Sequence, residues 1–352
     1  MTAQTVSPPL DDRPPGPSLS PSRAADFKTC PLLFRFRTID KLPEQPSADQ
    51  ARGTLVHAVL ERLFDLPAAS RTPAAAAELI APAWASLLEA EPALASIFAA
   101  PAGASDSTAA SAPGAISDPA AASGPGTVSD PAALIAEADA RPAGPASFLD
   151  SARALLDGYF TVEDPTRLEP AERESLVSTL VDEELLIRGY IDRLDVSPAG
   201  DLRVVDYKTG GAPREAFEGR ALFQLKFYAL VLWRTRGVVP KVLRLLYLKD
   251  AEICDYSPDA EELERFERTL VALSQAVERA KREQDFRPKP SRLCGWCNHQ
   301  RFCPEFGGTP PPYPAEATLP IRETAPVDDD RLGSVRPGTE ERGEVPVVAD
   351  VG

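Results

Sequence analysis

Long apolar runs are missing from this 352-residue chain. No stretch of about 18 apolar residues occurs, so no membrane-spanning helix is expected. No basic-apolar leader opens the sequence either, so a soluble, cytoplasmic protein without a membrane partner is expected. In that reducing setting a disulfide framework is not expected from the five cysteines. Positive charge is also scarce: 38 Lys and Arg stand against 53 Asp and Glu, a net charge of −15. That balance argues against a partner rich in phosphate, which needs cations to meet it. The distribution weakens the objection. Residues 281–304 carry six Lys/Arg against two Asp/Glu, and residues 19–60 carry six against four. Residues 308–352 carry four against nine, and 100–150 one against six. Much of the acidity therefore lies in stretches of low complexity, and local fields matter more than the total.

Residues 1–18 are rich in Pro, Ser and Asp and read as a disordered tail. Ser20 is then a candidate N-cap, with Pro21 at the first helical position of a helix running into Cys30. Ser47 and Gln50 form a capping-box pattern before a helix over 48–65, whose Leu55, Val56, Val59, Leu60 and Leu63 make one stripe. Residues 74–98 read as helical. From about 99 to 146 the composition falls to Ala, Pro, Gly, Ser and Asp, which predicts an insertion without a core. Helices are expected near 147–160, 214–235 and 258–284, and a strand at 241–249. After residue 307 the chain is Pro-rich and acidic and reads as a second tail. Residues 19–306 remain as one domain. Three strands with helices before and after them predict a mixed α/β core.

The chemistry concentrates in one place. Gly189-Tyr190-Ile191-Asp192-Arg193 is followed by Asp206-Tyr207-Lys208-Thr209-Gly210, with the turn Ser197-Pro198-Ala199-Gly200 between them. The flanks read as two strands, so the unit is a hairpin. Folding about residue 198 or 199 brings Asp192 and Asp206 within about one position of facing each other. Asp206 and Lys208, two apart, share a face. Acidic and basic residues on a hairpin are ordinarily a solvated face or cross-strand pairs. Here Leu202 and Val204 lie on the face of Asp206, which turns a carboxylate toward apolar surroundings. Buried charges need a partner or a metal. Two carboxylates and an ammonium can hold a divalent metal against a phosphodiester and activate water beside it.

These paired elements resemble the RecB-type branch of the PD-(D/E)xK nuclease superfamily. Arg52-Gly53-Thr54-Leu55-Val56-His57 resembles its first motif. Gln224-Leu225-Lys226-Phe227-Tyr228-Ala229 resembles its Gln-x-x-x-Tyr helix. Cys30, with Cys294, Cys297 and Cys303, resembles the split iron–sulfur clasp of AddB and CRISPR-associated members. The five motifs fall in the family's order over roughly residues 19–306, nearest to the stand-alone RecB-family exonucleases. Ile191 stands where the superfamily name places Pro, a departure general to this branch.

The resemblance implies a restriction-endonuclease-like core, a small mixed central sheet flanked by helices, with a C-terminal metal-cluster segment. It implies a metal-dependent DNA exonuclease of repair or recombination, acting on single-stranded DNA or DNA ends. His57, Asp192, Asp206 and Tyr207 would then hold Mg²⁺ or Mn²⁺, with Asp192, Asp206, Lys208, Gln224 and Tyr228 catalytic. Lys208 would position water or meet charge developing on the phosphate. Arg193 would contact phosphate or steady the acidic site. Glu61, Glu169 and Glu172 are further acidic candidates that spacing cannot choose between. A separate helicase is the expected partner, because no Gly-x-x-x-x-Gly-Lys-[Ser/Thr] loop occurs.

Cys294-x2-Cys297-x5-Cys303 has ligand spacing, and Cys30 lies far upstream. Four thiolates suit a [4Fe–4S] cluster, which the resemblance favours, or structural Zn²⁺. Cys254 reads as a plain buried thiol. Trp296, His299, Arg301 and Phe302 surround the cluster, either guiding single-stranded DNA or packing the metal loop. Two rival readings remain. One is a catalytically silent DNA-binding or scaffold protein; the other is a zinc-stapled interaction module.

Overall fold

The structure, a computed structural model, describes residues 16–98, 144–212 and 218–315. The low-complexity stretch therefore falls almost wholly outside the described residues.

A six-stranded mixed sheet is the frame. Strand β1 (Ser18–Leu19) runs parallel to β3 (Leu185–Val196), and β2 (Glu172–Val181) pairs antiparallel along nearly the whole of β3. Strand β4 (Leu202–Lys208) pairs with only the last residues of β3, from Arg193 opposite Val205 to Val196 opposite Leu202. Strand β5 (Val242–Tyr247) is parallel to β4, and β6 (Glu252–Tyr256) closes the far edge antiparallel. Sequence reasoning misses β1, β2 and β6. The first is two residues long, β2 opens on Glu-Arg-Glu, and β6 carries Glu252 and Asp255. None presents the alternation that marks a half-buried strand.

Helices cover both faces, the arrangement that buries a mixed sheet. Helices α3 (Ala48–Leu63), α4 (Pro73–Ala90) and α5 (Pro145–Val162) pack with Val205, Tyr207, Leu246 and Leu248 on one side. Helices α1 (Pro21–Thr29), α6 (Glu218–Arg236) and α7 (Ala260–Glu283) lie on the other, against Ile187, Ile191, Val204 and Leu245. The caps are those the sequence implies. The Ser20 hydroxyl accepts from the Arg23 amide before Pro21, and that of Ser47 accepts from Gln50. Gly189 is required by packing: a Cβ there would lie 2.8 Å from a ring carbon of Tyr228 and 3.2 Å from Pro21, so α1 and α6 press onto β3 at this point.

A third core joins the two ends of the chain. Short helix α2 (Pro31–Phe34) brings Leu32 and Phe34 against Val277 and Phe286, with Phe302, Cys303 and Tyr313 around them. Composition assigns residues 16–18 and 307–315 to the tails. The first stretch nevertheless enters the sheet, and in the second Tyr313 packs on Phe286 while the Pro311 carbonyl accepts from Arg35. No helix among the described residues is long and apolar enough to cross a membrane.

Candidate active site

The register of the β3–β4 hairpin would set Asp192 opposite Asp206, one step beyond the last paired residues. The ladder stops there. Instead the Asp192 carboxylate accepts the Tyr207 amide at 2.8 Å, taking the place of a backbone partner. Alternation also breaks at this point. Ile191 packs into the core under α6, whereas Arg193, two residues on, lies against Tyr207 on the opposite side. Residues two apart on a regular strand would share a face.

Across β2, Glu174 stands opposite this break, between the pairs Arg173–Arg193 and Ser175–Ile191. Its φ is +41°, a left-handed conformation that costs a non-glycine residue about 1–3 kcal/mol. The strain places its carboxylate beside His57. One ligand atom each from His57, Glu174 and Asp192 lies within 4.8 Å of the others. The His57 Nδ1 is 3.4 Å from Glu174 and 3.6 Å from Asp192. Its Nε2 lies 2.9 Å from the Tyr207 carbonyl. A carbonyl only accepts, so Nε2 carries the proton and Nδ1 faces the carboxylates, the orientation that prepares an imidazole to ligate. Helix α3 delivers His57 with Gly53 one turn earlier, where a Cβ would meet the Thr209 hydroxyl at 3.3 Å.

Asp206 is 2% exposed. Its Oδ2 forms an ion pair with Lys208 Nζ at 2.6 Å. Lys208 donates to Gln224 Oε1 at 2.9 Å, and Gln224 donates to the Tyr228 hydroxyl at 3.0 Å. The five residues expected to be catalytic thus adjoin one another, with Asp206 held by Lys208 rather than within the His57 group.

The electrostatics report crowded negative charge. Burial pushes the Asp192 carboxyl up; His57 opposes this and Asp206 and Glu174 add to it, leaving it at about 7. Burial would lower His57, but Asp192, Glu174 and Asp206 outweigh it and raise the imidazole to about 10. Lys208 is likewise raised, as Asp206 and Asp192 overcome its burial. Glu61 is raised by burial and then by Glu174, which puts it at the margin of the site. Such a donor set, hard oxygens with one imidazole, fits a divalent cation of the Mg²⁺ or Mn²⁺ kind.

Other candidates lie elsewhere. Glu169 pairs with Arg71 and Glu172 with Arg236. Tyr207 holds His57 and Asp192 through its backbone. Arg193, expected near phosphate, is fully buried with Glu163 at 2.7 and 2.8 Å, the Tyr207 hydroxyl at 2.9 Å and Asp195 at 3.1 Å. It has no access to a substrate. Sequence reasoning misses Glu174. A hairpin centred on Asp182–Glu184 would set it opposite Asp192, but the pattern of β2 does not read as a strand.

The four cysteines line one cavity at the third core, and none of the five cysteines is disulfide-bonded. The Cys30 sulfur accepts the Lys289 amide at 3.4 Å, and that of Cys294 accepts the Ser291 amide at 3.2 Å. Burial raises the Cys297 thiol, and Cys30 and Cys303 raise it further, which marks their proximity. Cys254 sits apart on β6. Among the surrounding residues, His299 is buried and 2.7 Å from Glu44, and Phe302 packs on Phe36. Arg301 stacks on Phe302, whereas Trp296 is 58% exposed.

Comparison with known proteins gives a family-level match. The profile described as the PD-(D/E)XK nuclease superfamily matches residues 18–304. No curated protein matches the chain. Among solved structures, a putative exonuclease from Eubacterium rectale is similar at 11% identity and a TM-score of 0.45, covering 81% of this chain and 88% of its own. A protein named SSO0001 is similar at 18% identity and a TM-score of 0.31, covering 49% of this chain and 78% of its own.

Proposed function

The chain belongs to the PD-(D/E)XK nuclease superfamily, and on that premise we propose that it is a metal-dependent DNA exonuclease. The observation that carries this reading is the convergence of His57, Glu174 and Asp192 within 4.8 Å beside the Asp206–Lys208 pair. His57 through Nδ1, Glu174, Asp192 and Asp206 would hold Mg²⁺ or Mn²⁺. The bound ion supplies Lewis acidity toward a phosphoryl oxygen and acidifies a water.

The chain's own groups do the rest. Tyr207 fixes His57 and Asp192 from behind through its carbonyl and amide. Lys208 presents an ammonium toward the scissile phosphate, where it orients the attacking water and meets the charge that develops on the phosphoryl oxygens. Gln224, itself held by Tyr228, keeps Lys208 in that position. Burial of the Asp206 carboxylate strengthens its hold on Lys208.

The four cysteines would carry a [4Fe–4S] cluster that clasps the N-terminal helix to the C-terminal segment. The Lys289 and Ser291 amides donate to the Cys30 and Cys294 sulfurs, a contact that cluster-bound sulfur accepts. A role at DNA ends in repair or recombination follows, with unwinding left to a separate helicase.

The experiment compares linear and covalently closed circular DNA with Mn²⁺ or EDTA. Release of short products from the linear form alone, and only with metal, is expected. Cleavage of the circle would make the protein an endonuclease.

A further inference from the structure

Lys28 and Lys289 meet from distant parts of the chain. Lys28 lies at the end of α1, two residues before Cys30; Lys289 follows α7 on the way to the cysteine loop. The Lys289 ammonium donates to the Lys28 carbonyl at 3.1 Å. The Lys28 ammonium lies 4.1 Å from the centre of the Phe223 ring, and Phe223 adjoins Gln224, the residue that holds Lys208. The two cations therefore bridge the helix that serves the active site and the loop that carries the cysteines.

Neither ammonium has a carboxylate partner among the described residues. Their neighbours do: Arg37 pairs with Asp26 and Glu44, Lys281 with Glu278, and Arg287 with Asp285. Glu305, exposed on the rim of the cysteine cavity, bonds to neither lysine. Burial and the charge of Lys289 both lower the Lys28 pKa, so the pair repels itself until an anion sits between. Phe306 is 51% exposed and lines the same cavity as Lys289, and Trp296, next to Cys297 in the cysteine loop, is 58% exposed. Exposed aromatic faces beside paired cations match a strand that offers both phosphates and unstacked bases. A duplex hides its base faces.

We propose that Lys28 and Lys289 together seat a backbone phosphate of single-stranded DNA between the catalytic pocket and the cysteine loop, with Trp296 and Phe306 stacking bases beyond it. This rests on the nuclease reading. The test measures binding of a 20-nucleotide oligothymidylate in EDTA, which halts hydrolysis, as a function of salt. Lys28→Ala/Lys289→Ala should flatten the plot of log affinity against log salt by about 0.7, the value for one phosphate no longer neutralised. Metal content and melting temperature should stay as in wild type. Trp296→Ala/Phe306→Ala should weaken binding at least about fivefold with the slope unchanged. A wild-type slope in the lysine variant would overturn the proposal. So would loss of its metal content, which would assign the lysines to balancing the thiolates, or equal affinity for a duplex of the same length. Wild-type protein that cleaves no DNA at all would instead overturn the nuclease reading, and this one with it.

Discussion

Glu174 and Asp192 face each other across β2 and β3 at the one point where that ladder is interrupted. The carboxylate that completes the His57 group comes from a residue whose backbone is strained. Glu174→Gly should relax the φ of +41°, a backbone gain of about 1 kcal/mol in the metal-free protein that loss of the His57 contact offsets in part. Glu174→Gln should keep the strain. Both should weaken Mn²⁺ binding at least about tenfold. Thermal unfolding and calorimetric titration separate the two effects; unchanged metal affinity in either variant would remove Glu174 from the site.

Metal binding should be coupled to proton release. His57 lies at about 10 and Asp192 at about 7 in the metal-free protein, so at pH 7 the imidazole is protonated. A ligating imidazole must be neutral. Binding therefore expels at least about one proton at pH 7, and apparent affinity rises with pH until the His57 pKa is reached. Titration calorimetry in buffers of different ionisation enthalpy reads the proton count. No buffer dependence would contradict the assignment of His57.

Arg193 should be a stability residue. It is fully buried among Glu163, Asp195 and the Tyr207 hydroxyl. Arg193→Leu removes the buried cation closest to Glu163, leaving it only Arg244 at 3.8 Å while Asp195 keeps Arg203, and should cost about 3–5 kcal/mol. Chemical denaturation checks this. Near-wild-type stability with lost DNA affinity would instead return Arg193 to binding phosphate.

Cys30→Ala should lose cluster colour and iron as fully as Cys294→Ala, because both sulfurs line one cavity although they lie far apart in sequence. Iron analysis after anaerobic purification decides. Full iron retention in Cys30→Ala would place the fourth ligand elsewhere, and a colourless protein with one zinc would replace the cluster.

The β3–β4 hairpin, its turn and the Asp206–Lys208 pair are legible in the sequence because Val, Leu and Ile alternate around a turn rich in Pro and Gly. Helices α1 and α3 are legible through Ser20, Pro21 and Ser47. Glu174 is not, because β2 opens on charged residues and owes its strand state to pairing with β3. The burial of Arg193 is equally hidden. It follows from the break in alternation at Asp192, which no two-residue period predicts. The cysteine spacing is visible, but the meeting of Lys28 with Lys289 depends on how the chain's two ends pack.

The His57–Glu174–Asp192 group and the Asp206–Lys208 pair should act as one hydrolytic centre. Hydrolysis of end-labelled single-stranded DNA by metal-stripped protein, with and without added Mn²⁺, tests it most directly. The wild type should cleave only with Mn²⁺, and Asp206→Ala and Lys208→Ala should each fall by at least about 10²-fold while folding and binding DNA normally. Metal-independent cleavage, or wild-type rates in either variant, would contradict it.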